Sequence, residues 1–262
     1  MNPAQDLSLV HAYELLMKKY RPDLVLTYTI KPNVYGGFVC RRMGIPYLPT
    51  ITGLGSTFQK SGPLLFLVER MYYEGLKKAS CVFFQNEENR QIFRRGGLVS
   101  GRDRLVPGSG VNTKVWQAMP YPKDEVTNFL FVGRVMKEKG IEEFFRAAEV
   151  LHSEKVLFSI CGYCDEDYQE ELDERASRGE ILQLGFHPDM HEFYRDCSAV
   201  VMPTWHEGMS NVLMEASACA RPVIASNISG CREIFEDGVT GYGFAPHSPE
   251  ELIRTLRHFL TL

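Results

Sequence analysis

The stretch HEGMSNVLMEASACA, His206 to Ala220, holds two carboxylates in an E-x7-E spacing, Glu207 and Glu215, and Glu215 is the single charged residue between Gly208 and Ala220. Ser210, placed before an apolar run, reads as the N-cap of a helix. The unpaired amides and the positive dipole end there would attract a phosphate. Glu215 then stands about 7 Å further along the helix axis. A carboxylate there can accept both vicinal hydroxyls of a ribose, while Glu207, ahead of the helix, faces whatever lies beyond the phosphates. Two glutamates flanking an anion site fit a ligand built as sugar, diphosphate, ribose and base. The plainer alternative is a half-exposed Glu215 paired with Arg221 or Arg232.

FVGRVMKEKG, Phe131 to Gly140, supplies the matching cations. An apolar strand runs into Gly133 and Arg134, and Lys139 opens the following helix. Two cations at the end of a strand can neutralise a diphosphate and stabilise it as a leaving group without a metal. Two solvated surface side chains are the ordinary alternative.

Other polar clusters read as structural. Asp165-Glu166-Asp167 has the D-x-D pattern used to hold manganese elsewhere, but it precedes the acidic run YQEELDE and suits the first turn of a helix. Cys161 and Cys164 form a C-x-x-C without a second pair at zinc spacing. The seven cysteines are odd in number and mostly sit in apolar runs, as free thiols in a reducing cytoplasm do. No metal is expected.

These residues need a scaffold that gathers strand ends. Apolar runs and amphipathic stretches alternate along the chain. The first half reads as helix 6–19, strand 24–28, helix 36–43, strand 47–52, helix 64–78, strand 81–85 and helix 87–95. The second reads as strand 129–132, helix 141–152, strand 156–161, helix 169–177, strand 181–184, helix 190–195, strand 199–202, helix 211–219 and strand 223–225. This rhythm predicts βαβ units and parallel sheets. The second half forms a complete doubly wound domain, which places Glu207 and Arg134 at the carboxyl edge of its sheet, where such folds bind ligands. VPGSGVNTKVWQAMPYPKDEVTN, residues 106–128, reads as a linker. The expected domains are 1–118 and 119–262. The first begins with a helix and is short of strands, so its opening strands are expected to lie before Met1.

At 262 residues, 44% hydrophobic and 24% charged, the chain has a globular composition. A net charge of -4 with interspersed signs argues against nucleic acid as a partner. No apolar run reaches the ~18 residues needed to span a bilayer, and the N-terminus lacks the plan of a signal peptide. LLFLV, residues 64–68, with Phe58 and Lys60 nearby, could touch a membrane surface; core packing of an ordinary helix explains it equally well.

GR-x4-KG, HEGMSNVLMEASACARPVIAS and SGCREIFEDGVTGYGF together closely resemble the family 4 retaining glycosyltransferases of GT-B fold. In the first half YTIKPNVYGG, ITGLGSTF, VFFQN and VPGSGVN are similar to the branch that extends lipid-linked oligosaccharides, and to related capsule enzymes, with UDP-sugars as donors. The resemblance implies two Rossmann-like domains and a cytoplasmic enzyme, peripheral to the membrane, that moves a hexose or N-acetylhexosamine to a lipid-linked or polysaccharide acceptor. It implies that Arg134 and Lys139 bind the donor diphosphate, with the amides of Ser210, Asn211 and Val212 assisting, Glu207 the sugar and Glu215 the ribose. The base would rest against Gly185, Phe186 and His187, and Gly53 would allow close backbone approach. Many members carry a histidine where Thr52 stands here. A UDP-sugar 2-epimerase on the same architecture and a non-catalytic nucleotide-sugar module are the alternatives.

Overall fold

The computed structural model describes residues 3–262 apart from 56–57, 59–61, 100 and 124, with side chains from residue 5 onward. Lys60 and part of ITGLGSTF therefore lie outside the described residues. Contacts divide the chain into Met1–Ser109 and Gly110–Leu262.

The first unit runs α1 (Pro3–Tyr20), β1 (Val25–Tyr28), a π-helical turn (Pro32–Gly36) leading into α2 (Gly37–Met43), β2 (Tyr47–Ile51), α3 (Pro63–Leu76), β3 (Val82–Phe84), α4 (Glu87–Arg95) and β4 (Asp103–Leu105). Its sheet has the order β1-β2-β3-β4, parallel throughout. Tyr72, Phe84 and Phe93 centre the core, ring against ring at 4.9 and 5.4 Å. Helices α2 and α3 meet backbone to backbone, since a Cβ on Gly37 would lie 2.3 Å from the Gly75 carbonyl oxygen. β4 escapes hydrophobic patterning because charge fixes it. Asp103 is buried and accepts hydrogen bonds from Arg90 at 2.5 Å and Arg94 at 2.9 Å.

The second unit runs β5 (Thr127–Val132), a 3-10 turn (Lys137–Lys139), α5 (Ile141–Leu151), β6 (Val156–Cys161), α6 (Gln169–Ser177), β7 (Leu182–Gly185), α7 (His191–Asp196), β8 (Ala199–Met202), α8 (Asn211–Ala218), β9 (Val223–Ser226), β10 (Gly241–Phe244) and α9 (Pro249–Phe259). Its six parallel strands take the order β10-β9-β8-β5-β6-β7. That is the doubly wound order 3-2-1-4-5-6 read from the β7 edge, with both faces covered. One apolar layer joins α5, α6 and α9 to the sheet, and another joins α7 and α8. The expected five strands become six because GYGF, with two glycines, does not read as a strand. Gly241 is needed there, since a Cβ would lie 2.4 Å from the Val223 carbonyl oxygen.

The contact division falls earlier than the expected 118/119 boundary because the polypeptide before β5 packs on the second unit. Trp116 and Met119 join its α7–α8 layer. Arg221, 2% exposed, fastens them. Its guanidinium donates to the carbonyl oxygens of Tyr194 at 2.5 Å, Pro120 at 2.6 Å, Ala220 at 3.1 Å, Arg195 at 3.2 Å and Met119 at 3.3 Å.

Candidate functional site

The direction of winding in the second unit reverses between β5 and β8, and the loops leaving these neighbours diverge to opposite faces. A doubly wound sheet opens its ligand crevice at such a point. After β5, Gly133 takes φ 150°, the short 3-10 turn follows, and Gly140 takes φ 77° before α5. Gly140 presses on the loop after β8, where a Cβ would lie 2.0 Å from the Pro203 carbonyl oxygen. Trp205 N–H and Thr204 Oγ1 both donate to the Glu138 carbonyl, at 3.0 and 3.3 Å. These contacts bring Lys139 to Glu207, and the two form an ion pair at the carboxyl edge of the sheet. His206, beside it, has its pKa lowered by burial, so its ring stays neutral at physiological pH.

Arg134 turns the other way and pairs with Asp165, in the loop after β6. That loop is a backbone continuation of the sheet. Val135 N–H donates to the Tyr163 carbonyl at 2.8 Å, and Asp165 N–H to the Val135 carbonyl at 3.2 Å. Glu166 accepts from Lys137 N–H at 2.7 Å. The first two acidic residues of the D-x-D stretch thus bind the β5 loop. Among the described residues no group of three or more His, Cys, Asp or Glu is placed to hold a metal ion.

Ser210 caps α8 as its type suggests, its hydroxyl accepting from Leu213 N–H at 3.3 Å, which leaves Asn211 and Val212 in the opening turn. Glu215 is half-buried and pairs with neither arginine. Arg221 is occupied by carbonyls, and Arg232 lies 4.0 Å from Glu233. Instead the Tyr194 hydroxyl donates to Glu215 at 3.1 Å. Burial raises the Glu215 pKa, with the Tyr194 hydrogen bond and His191 opposing the rise. Behind it Trp116 stacks on His191 at 4.3 Å and meets the Tyr194 ring edge-on at 5.6 Å.

At the end of β7, Gly185 takes φ 77°, and Phe186 after it stands 65% exposed, its ring 5.9 Å from that of the exposed Tyr163. The His187 ring turns back to the Leu184 carbonyl at 2.9 Å. The second unit thus carries cations, carboxylates, a helix N-terminus and two uncovered aromatic rings along one sheet edge. Gly53 follows β2 in the first unit with φ 155°, a conformation suited to glycine.

Residues 126–261 match the family described as Glycosyl transferases group 1, and residues 2–86 match Glycosyl transferase 4-like. The chain belongs to the glycosyl transferases group 1 family. It is 25% identical over 260 residues to N,N'-diacetylbacillosaminyl-diphospho-undecaprenol alpha-1,3-N-acetylgalactosaminyltransferase of Campylobacter jejuni, spanning 92% of this chain and 68% of that one. It is 28% identical over 134 residues to a D-inositol 3-phosphate glycosyltransferase of Paenarthrobacter aurescens, a match covering 47% of this chain and 33% of the other. The fold is that of GT-B structures. A sucrose-phosphate synthase of Thermosynechococcus elongatus superposes with TM-score 0.82 at 22% identity, over 97% of this chain and 68% of that one. Anabaena HepE in complex with UDP-glucose superposes with TM-score 0.79 at 21% identity, over 96% of this chain and 72% of that one.

In this group 1 glycosyltransferase the contacts join Lys139 directly to Glu207, while Arg134 and Glu215 are held by partners that sequence reading missed, Asp165 and Tyr194. Tyr163 was also missed. It stands just past β6, at the sheet edge that marked Arg134 and Glu207, so strand-end position alone could have found it. No comparable signal marks Tyr194, whose role depends on α7 packing beside α8.

Proposed function

We propose that this glycosyltransferase moves a hexose or N-acetylhexosamine from a UDP-sugar to a lipid-linked or polysaccharide acceptor, with retention of configuration and without a metal. The observation that carries the reading is the α8 N-terminus at the winding reversal, with the Lys139–Glu207 ion pair before it and the Tyr194-held Glu215 behind it. The spacing suits a diphosphate at the helix end, a sugar towards Glu207 and a ribose on Glu215. Phe186 and Tyr163 offer the base a surface to stack on. The name of the Campylobacter relative supports a lipid-diphosphate-linked acceptor, and the ligand in the Anabaena structure supports a uridine donor. Seven free thiols suit a reducing cytoplasm.

In the proposed reaction the acceptor hydroxyl oxygen bonds to the anomeric carbon on the face that the diphosphate leaves. The bond from that carbon to the diphosphate oxygen breaks, its electron pair remains on the diphosphate, and the hydroxyl proton passes to a departing diphosphate oxygen. Arg134 and Lys139 meet the charge as it develops. Each is held on a carboxylate before the donor arrives, so binding exchanges Asp165 and Glu207 for phosphate oxygens. Glu207, released from Lys139, accepts from a sugar hydroxyl.

Thermal shift with UDP, GDP and ADP tests the donor. At a hundredfold excess over its dissociation constant a ligand specific to the native state adds about 2.7 kcal/mol. For a chain of this size that raises the melting temperature by roughly 5–10 °C. UDP should give this shift and the other two much less. A larger shift with GDP or ADP would overturn the uridine assignment.

A further inference from the structure

Three consecutive residues of the loop after β8 each meet the segment that opens α5. Glu207 pairs with Lys139, His206 Nε2 lies 3.3 Å from Glu138 Oε2 outside hydrogen-bond geometry, and the Trp205 indole N–H donates to Glu143 Oε1 at 2.9 Å. The third contact is the unusual one. Glu143 is 5% exposed and sits on α5 among Ile141, Phe144, Phe145, Ala147 and Ala148, all buried. Its second oxygen, Oε2, is buried without a hydrogen-bond partner. An acceptor left in that state costs stability that an apolar side chain of similar size would not, so the carboxyl group is kept for what Oε1 holds. The indole it holds is fixed on other sides as well. Its ring lies 4.5 Å from that of His247, and Lys137 Nζ stands 6.0 Å from its centre.

We propose that Glu143 is a positioning residue for the donor sugar, acting through Trp205 on Glu207. The inference rests on the donor reading above, in which Lys139 leaves Glu207 for the diphosphate. Once that ion pair opens it no longer locates Glu207. The hydrogen bond from the Trp205 indole to Glu143, two residues back along the loop, still does, together with the backbone bonds to the Glu138 carbonyl. Lys139 and Glu143 are four residues apart and grip loop positions two residues apart, so the opening of α5 holds the loop at two points, one that the ligand releases and one that it leaves closed. Being buried, Glu143 is not available to the ligand itself, and its influence is confined to where Glu207 stands. A small displacement of Glu207 weakens the grip on sugar hydroxyls, whereas the diphosphate, met by Arg134, Lys139 and the α8 N-terminus, is indifferent to it.

Calorimetry of the full chain with UDP, and with UDP-glucose, UDP-galactose and their N-acetylamino counterparts, tests it, the tightest of these UDP-sugars being compared with UDP. Glu143→Leu should weaken that UDP-sugar about 10-fold or more and UDP by less than about twofold. Glu143→Gln, whose side-chain carbonyl still accepts the indole N–H, should stay within about threefold of the parent on both ligands. Trp205→Phe keeps a ring beside His247 and removes the donor, so it should repeat the loss of Glu143→Leu and serves if that variant does not fold. Far-ultraviolet circular dichroism and a melting curve report the fold of each. Three results would overturn the proposal: UDP-sugar affinity unchanged in Glu143→Leu or in Trp205→Phe; equal losses on UDP and UDP-sugar, which would mark general damage to the site; or Glu143→Gln as weak as Glu143→Leu, which would make the charge and not the hydrogen bond the cause. If a GDP-sugar or ADP-sugar binds the parent more tightly than the uridine ligands, the donor assignment fails and the same comparison is made against GDP or ADP. A parent that binds no nucleotide sugar overturns both.

Discussion

Both units are parallel sheets built from βα units, yet they differ in winding, in net charge, +7 for residues 1–109 and -11 for residues 110–262, and in the polar groups they bury. The first unit adds strands in one direction, from β1 to β4. The second reverses between β5 and β8, and nearly every group with a chemical role in the proposed function lies on loops or helix ends at that sheet's carboxyl edge. Reversal separates two crossover loops and opens a crevice, whereas strands added in one direction place each loop against the next. The buried charges differ as well. The first unit fixes its last strand with the Asp103 carboxylate between two arginines, and the second fixes its entering polypeptide with the Arg221 guanidinium among five carbonyl oxygens.

That contrast can be broken directly. Arg221→Ala would leave buried carbonyls of residues 119–120 and 194–195 without their donor and remove a large buried side chain, at a cost of about 3–5 kcal/mol. Both tryptophans of the chain, Trp116 and Trp205, lie in the second unit. Tryptophan emission during denaturant unfolding should therefore shift strongly for Arg221→Ala. Asp103→Asn should lower stability by about 1–3 kcal/mol in a transition seen by far-ultraviolet circular dichroism, leaving the tryptophan midpoint in place. A common shift of both signals in both variants would show that the units unfold as one.

Most of the second unit was legible in its pattern, since β6, β8 and α6 fall on the expected residues and the other expected elements of 127–226 fall within two. Apolar runs bounded by glycine and polar residues carry that information. β4 and β10 were not legible. One is the triplet Asp103-Arg104-Leu105, fixed by the ion pairs of Asp103, and the other needs glycine where a strand ordinarily carries β-branched side chains. At the candidate site, Glu207, Arg134, Lys139 and Glu215 were legible as candidates from residue type and position, and the structure joins Lys139 to Glu207. The partners of Arg134 and Glu215 were not, because Asp165 and Tyr194 reach them through backbone register and helix packing that no local spacing encodes. The charge division between the units was also hidden, since signs alternate locally while their sums diverge.

The Glu215 environment predicts a medium effect. Burial raises its pKa, so the stability linked to this group is fully present below its unfolded value and lost as pH rises through the folded one. Ribose hydroxyls prefer the carboxylate, so UDP affinity should fall on acidification through the same window above the ordinary carboxylate range. Glu215→Gln should bind UDP about 10-fold more weakly at neutral pH and should lose this acid limb. Calorimetry of parent and variant in parallel removes the contribution of the phosphates, which titrate identically in both. Parallel pH profiles would place the ribose elsewhere.

The smallest expected effect is spectroscopic and belongs to the second unit alone. His191 receives its raised pKa first from the Val115 carbonyl, 3.0 Å from Nε2, and then from Asp189, 2.5 Å from Nδ1, with desolvation opposing the rise. Its contribution to stability is thus present below the unfolded value near 6.5 and lost as pH rises through the folded one. The ring stacks on Trp116, and a protonated imidazole quenches indole emission by contact. In a Trp205→Phe background the emission of Trp116 should rise with a midpoint above 6.5, and Asp189→Asn should move that midpoint down. A midpoint unmoved by Asp189→Asn would mean that the carbonyl alone holds the proton. The titration should shift again when UDP is bound, because Tyr194 lies between this stack and Glu215, so one fluorescence signal reports both the proton and the ligand.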